Sequence, residues 1–265
     1  MKALICFLFL FVFPATSFSQ DEQSRAIGET MANTFNLHGE QLTGSCFLIT
    51  KEGKQYFVTA AHLFKPSHKS GDLVSIQMLI QNQLQSFKAK VYFHADRNVD
   101  IALIKLSEKI SQNIQLPEEF IKYNELFQNV FQGNGISLDS TLITFGMEVF
   151  FYGFPLGNLG TQALGIRFPL VKKATVSGWV KHKGLDKILL DGYNNLGFSG
   201  GPVVSYNTSS KKMCLVGVVS AYIPEPVSVQ YKGDKLSVNE NSGIIVCYGK
   251  RYIEEIFTNH TKDLR

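Results

Sequence analysis

Short apolar runs of strand length, each closed by turn residues, recur along most of this chain and leave little room for helix. They fall at 45–50, 55–59, 73–80, 87–93 and 101–106, and again at 141–144, 148–152, 172–180, 188–190, 202–204, 215–220 and 243–246. Only 117–129 and 251–257 carry helical spacing, the second through Tyr252, Ile253, Ile256 and Phe257. Many short strands without alternating helices argue against a parallel α/β sheet and predict an all-β barrel or sandwich.

Three short blocks stand out against this pattern. Gly197-Phe198-Ser199-Gly200-Gly201-Pro202 sets one serine among glycines just before Val203-Val204. Thr59-Ala60-Ala61-His62 and Asn98-Val99-Asp100-Ile101 each follow or precede a strand-like run. A serine hydroxyl is a weak nucleophile at neutral pH unless a nearby base takes its proton as it attacks. Imidazole is the side chain whose unperturbed pKa suits that task, and a carboxylate fixes its tautomer and stabilises the cation that forms. His62, Asp100 and Ser199 are therefore candidates for base, orienting acid and nucleophile. Taken singly each is unremarkable, because serine among glycines is usually a turn. The combination of the three, in strand-flanked settings, is what points to acyl transfer. Gly-x-Ser-x-Gly also marks the nucleophile elbow of α/β-hydrolases, which requires a helix straight after the serine and a later histidine. Pro202, Val203 and Val204 oppose that helix, and His260 at the C-terminal end is the only histidine downstream.

The order His, Asp, Ser is one of three in which this triad occurs on unrelated folds. With the three blocks, it makes the chain resemble the trypsin/chymotrypsin superfamily. Gly153-Phe154-Pro155-Leu156-Gly157 narrows the likeness to the exported bacterial trypsin-like branch. The resemblance implies two six-stranded antiparallel β-barrels with the triad between them and a short C-terminal helix. It places the first barrel at about 40–110, a connection at 111–140, the second barrel at about 141–248 and the helix at about 250–258. It also implies that the Gly197 and Ser199 amides bind the oxyanion, and that no metal or organic cofactor takes part. Tyr193 and Asn194 fall at the primary pocket, Tyr222 at its mouth, and Ser220 on the strand that meets substrate and bonds the triad acid. In animal members an aspartate precedes the nucleophile and pairs with a newly cut N-terminal ammonium. Phe198 replaces it here, so the expectation is a loop ordered by packing or by substrate binding rather than by zymogen cleavage. With Tyr193 where basic specificity needs an acid, Lys and Arg are not the expected residues at the cleaved position.

Met1 to Ser19 read as an export signal: Lys2, an apolar core from Ala3 to Phe13, and Ser17-Phe18-Ser19 before a cut at Gln20. That core is too short to span a bilayer, which needs about 20 residues. The mature chain of 246 residues, 20–265, keeps 25 basic against 22 acidic residues, a net charge of +3. Its lysine clusters, Lys172-Lys173, Lys181-His182-Lys183 and Lys211-Lys212, are scattered and read as solvated charges, so no nucleic-acid partner is expected. Protein or peptide substrate is the expected partner. Cys46, Cys214 and Cys247 make an odd number for an exported chain. A Cys214–Cys247 bridge suits neighbouring strands of the implied second barrel, but buried thiols are the simpler reading. The reading from another class is a binding or chaperone-like protein that keeps the barrels without turnover.

Overall fold

In the computed structural model, residues 16–80, 83–107, 135–139, 141–155, 161–163, 166–231 and 234–264 are described. The expected helix at 117–129, and most of the expected export signal, lie outside them. Helix α1 (Thr16–Ala32) leads into β1 (Thr34–His38), β2 (Thr43–Lys51), β3 (Lys54–Thr59), β4 (Leu73–Ile80), β5 (Gln83–Phe93) and β6 (Ala102–Leu106). These six strands close into an antiparallel barrel in the order β1-β2-β3-β6-β5-β4. After β7 (Glu148–Gly153) comes a small hairpin, β8 (Thr161–Ala163) and β9 (Ile166–Phe168). Strands β10 (Leu170–His182), β11 (Leu185–Asp191), β12 (Pro202–Asn207), β13 (Lys212–Tyr231) and β14 (Asp234–Gly249) follow. With β7 they close the second barrel, in the order β10-β11-β14-β13-β12-β7. Helices α2 (Arg251–Asn259) and α3 (Thr261–Leu264) end the described chain.

The alternation that marked β4 is realised literally: Val74, Ile76, Met78 and Ile80 face the first core, with the residues between them largely exposed. Phe35, Leu37, Leu48 and Phe57 complete that interior. The second is filled by Val149, Phe151, Val176, Leu190, Phe198, Val203 and Val216. A third cluster joins the barrels, placing Phe47 and Val58 with Tyr152, Leu215, Val218 and Tyr248. Polar ties cross the same seam. Ile136 N donates to Leu48 O at 2.8 Å and Leu215 N to Ser137 O at 2.9 Å, so residues 135–139 touch both barrels. The C-terminal helices return to the first barrel, where Phe257 packs edge-on against Tyr56 at 4.9 Å and His94 meets Glu255 at 2.6 Å.

Several elements depart from the sequence-based expectation. The first barrel opens at Thr34 rather than at about 40. Four of the five residues of β1 are buried, and Thr34 and Asn36 among them erase the apolar alternation that would reveal a strand. Helix α1 packs through the small residues Ala26 and Thr30, which give no visible apolar stripe, and it runs through the Ser19–Gln20 junction. Residues 141–144 are not a strand: the chain turns at Gly146, φ 74°, and Leu142 is 83% exposed. Strands β13 and β14 run far beyond 215–220 and 243–246 as a paired arm, from Pro224↔Asn241 to Tyr231↔Asp234. Pro224 and Pro226 hid this arm. Lacking N–H, they fit only ladder positions whose backbone faces away from β14, on its outer edge. Among the described residues no helix is long and apolar enough to cross a membrane.

Cys46, Cys214 and Cys247 are all unbridged and fully buried, and burial pushes each thiol above its ordinary range. For protein starting at Gln20, a thiol reagent should find no reactive cysteine in the native state and three after unfolding. Fewer than three in denaturant without reductant would reveal a disulfide.

Candidate active site

Strands β3 and β6 pair through Thr59↔Ala102 and then diverge. The residues just past that last pair are His62, in a 3₁₀ turn over Ala61–Leu63, and Asp100, ahead of Ala102. The end of one ladder thus delivers two chain segments to the same place. Asp100 Oδ1 accepts the His62 amide at 2.9 Å, and Oδ2 faces His62 Nδ1 at 2.8 Å. Because an ionised carboxylate only accepts, Nδ1 carries the proton and Nε2 is left as the basic nitrogen.

A third contact reaches Asp100 from the second barrel. In β13, Val219 pairs with Cys247 and Ala221 with Val246, so Ser220 between them is an extra, bulged residue. Bulges re-aim side chains, and here the Ser220 hydroxyl donates to Asp100 Oδ2 at 2.6 Å. Burial pushes the Asp100 carboxyl up, but bonds from the His62 ring, Ser220 and the His62 amide, with the imidazole charge, outweigh it and hold it below its ordinary 3.8. Burial likewise pulls His62 down, and the hydrogen bond and charge of Asp100 reverse this, leaving its pKa raised above 6.5.

Ser199 stands at the turn before β12. Gly197 has φ 102° and Gly200 φ 83°, values that favour glycine. Space is equally decisive, since a Cβ on Gly197 would lie 2.2 Å from Phe154 O and one on Gly200 2.2 Å from Ser45 O. Phe198 between them is fully buried, edge-on to Phe151 at 5.0 Å, and so anchors the loop in the second core. Amides of Phe198, Gly200 and Gly201 bond to Asn195 O, Val219 O and Phe198 O. Among the described residues the Gly197 and Ser199 amides find no such acceptor. The Ser199 hydroxyl donates to Ser220 O at 3.1 Å rather than to His62.

Ser45 is a participant that the sequence did not single out. Its amide donates to Ser199 O at 2.8 Å and its hydroxyl to Gly197 O at 2.7 Å, while Phe154 N donates to that hydroxyl at 3.1 Å. A serine opening an apolar run is the faint signal that marked it. The expected pocket residues behave differently from one another. Tyr193 is 58% exposed, Tyr222 is half-buried, and Asn194 is buried with Oδ1 unpartnered among the described residues. Lys172 is a correction: instead of being a solvated strand-end charge, it donates to Tyr193 O and Asn195 Oδ1, both at 2.8 Å. Among the described residues no group of histidine, cysteine and acidic side chains could hold a metal ion.

The family model of the trypsin-like peptidase domain matches residues 44–218, the stretch that carries all of these groups up to β13. The chain belongs to the trypsin-like peptidase family. It is a serine-type peptidase, and its double barrel is the family's fold. Among solved structures, the active form of the Rv3671c protease from M. tuberculosis matches 97% of this chain and 93% of its own, at 14% identity and TM-score 0.56. The HtrA-type protease AlgW, solved with a tripeptide, matches 89% of this chain and 62% of its own, at 17% identity and TM-score 0.57. At such identities these likenesses speak for the fold alone. A search of curated proteins by sequence returns no match.

Replacing Ser45 by alanine removes the bond to Gly197 O and leaves the buried Phe154 amide without a partner. A buried group stripped of its partner costs about 1–3 kcal/mol. The expected result is a folded protein with a lower melting temperature and slower reaction at Ser199, by about tenfold or more. Unchanged rates and melting would show that Ser45 does not hold the loop.

Proposed function

We propose that this chain is an exported serine endopeptidase that hydrolyses peptide bonds through an acyl-enzyme on Ser199. The observation that carries the proposal is the bonded set His62–Asp100–Ser220, reached by the Ser199 loop from the opposite barrel. His62 Nε2 is the base. For attack the Ser199 hydroxyl turns about its Cα–Cβ bond from Ser220 O toward His62, a shift consistent with loose hydroxyl geometry before substrate binds. The proton passes from Ser199 Oγ to Nε2 as Oγ bonds the scissile carbonyl carbon. The imidazolium then protonates the departing amine, and a water repeats the sequence to release the acid. The Gly197 and Ser199 amides receive the developing oxyanion; losing one such donor typically costs about a hundred- to a thousandfold in turnover.

Asp100 supports this role by energetics as well as by position, since three hydrogen bonds keep it ionised beside the imidazolium that forms. Export rests on the pattern of residues 1–19. Cleavage before Gln20 would trim α1 to residues 20–32 and keep the buried Ala26 and Thr30 in place. For substrate choice, the buried Asn194 Oδ1 and the absence of an acid at Tyr193 support a polar pocket that does not favour Lys or Arg. An unpaired charge there would be costly. A non-catalytic binding role gains one point from the Ser199 hydroxyl, which is satisfied by Ser220 O rather than by the base.

Hydrolysis of a peptide library by protein starting at Gln20 separates these readings. The parent should cleave, without Lys or Arg leading at the cut position, and Ser199→Ala should retain at most the residual catalysis of binding and the oxyanion site. Equal cleavage by parent and variant would disprove the assignment. The pH profile gives a second check. His62 must be neutral to accept the proton, and Asp100 raises its pKa above 6.5. The rate should therefore climb with pH through a value above 6.5 and level off above neutrality. A rate that falls over that interval would contradict His62 as base.

A further inference from the structure

Lys172 lies in β10 on the side shared with Ala174 and Val176, which are buried in the second core. Alternation along the strand therefore sends its side chain inward, at the end of the barrel nearest the nucleophile loop, where an apolar residue would be the ordinary choice. Opposite it on β7 is Phe151, whose ring meets the Phe198 ring. The ammonium lies 5.3 Å from the Phe198 ring centre and 5.4 Å from that of Tyr193. Among the described residues no carboxylate pairs with it. Burial pulls its pKa below the ordinary 10.5. A half-buried cation with no counter-ion is expensive to keep. Its compensation is two hydrogen bonds, both to the segment that leads to Ser199: Tyr193 O and Asn195 Oδ1. Asn195 O in turn accepts the Phe198 amide at 3.3 Å.

We propose that Lys172 is a positioning residue: its ammonium pins residues 193–195 from inside the second barrel, so that the following turn presents the Gly197 and Ser199 amides in bonding position. The first barrel holds the other end of the same segment through Ser45. An ammonium built into β10 supplies the loop with a cationic tie that needs no freshly cut N-terminus. On this account the loop is assembled as soon as the chain folds. The inference rests on the acyl-enzyme reading of Ser199 and adds to it the means by which the loop is kept in shape.

The test is the second-order rate of fluorophosphonate labelling at Ser199 for the parent, Lys172→Met and Lys172→Arg, with melting temperature measured on each. Methionine fills similar space without the charge. Hydrogen bonds from a charged donor are strong enough that their loss should slow labelling by roughly tenfold to a hundredfold. Melting should hold or rise, because the two lost hydrogen bonds are offset by removing a half-buried cation that has no counter-ion among the described residues. Arginine, which keeps the charge and its donors, should recover part of the rate. A purely structural lysine would give the opposite pattern, lower melting with an unchanged rate per folded molecule. Should Lys172→Met fail to fold, Asn195→Ala keeps the lysine and removes one acceptor, and it should slow labelling in the same direction by less. Equal labelling by parent and Met variant, or by parent and Asn195→Ala in that case, overturns the proposal. So does a Met variant slowed no more than the Arg variant. If the parent itself is not labelled at Ser199, the acyl-enzyme reading fails instead.

Discussion

The Ser199 loop belongs to the second barrel but is hydrogen-bonded into the first, and Ser45 makes that junction. Its amide, hydroxyl and carbonyl are all engaged, with Ser199 O, with Gly197 O and Phe154 N, and with the Thr59 hydroxyl. Since Thr59 closes β3 against β6, the same few bonds link the loop to the ladder end that places His62 and Asp100. The proposed base and nucleophile lie on separate barrels and need a fixed relation, and these bonds provide it in a buried seam where an unpaired group would be costly. Aromatic and aliphatic packing across the seam supplies bulk adhesion, and the polar ties supply register.

Within that frame, charge is managed by pairing at one place and by compensation at another. Asp100 takes three hydrogen bonds and faces the imidazole, so its ionised form is the favoured one. Lys172 has no counter-ion among the described residues and is tolerated because it ties down a turn. Phe198 completes the arrangement. Where a carboxylate would need an ammonium partner, a buried ring needs only a well-filled core, and Phe151 gives it one. The glycines flanking Phe198 and Ser199 meet backbone at distances that exclude any side chain, so the loop has little freedom to rearrange.

Much of this was legible in the residues. Strands with clean alternation, such as 73–80, coincide with the observed element, and the closing helix at 251–257 does so within two residues. Glycine around Ser199 signalled a tight turn because backbone crowding has a residue-type signature. Elements whose stability comes from tertiary context were hidden. Strand β1 is buried nearly throughout and carries Asn36, and α1 packs by smallness rather than by an apolar stripe. The β13–β14 arm is exposed and interrupted by prolines that only an edge admits. Lys172 departs from its expected solvated place for a related reason. A lysine beside a lysine looks solvated, and only strand parity shows that Lys173 faces out to Glu148 while Lys172 faces in.

The proposed mechanism requires the two barrels to present Ser199 as an assembled nucleophile without proteolytic activation. Mass spectrometry of protein starting at Gln20 after exposure to a fluorophosphonate reports on that assembly. One adduct per chain is expected, located on Ser199, formed without lag and no faster after brief trypsin treatment. No adduct is expected in His62→Ala over the same interval. Absence of labelling, labelling at another residue, or labelling that appears only once a new N-terminus has been cut would rule out a nucleophile assembled on folding.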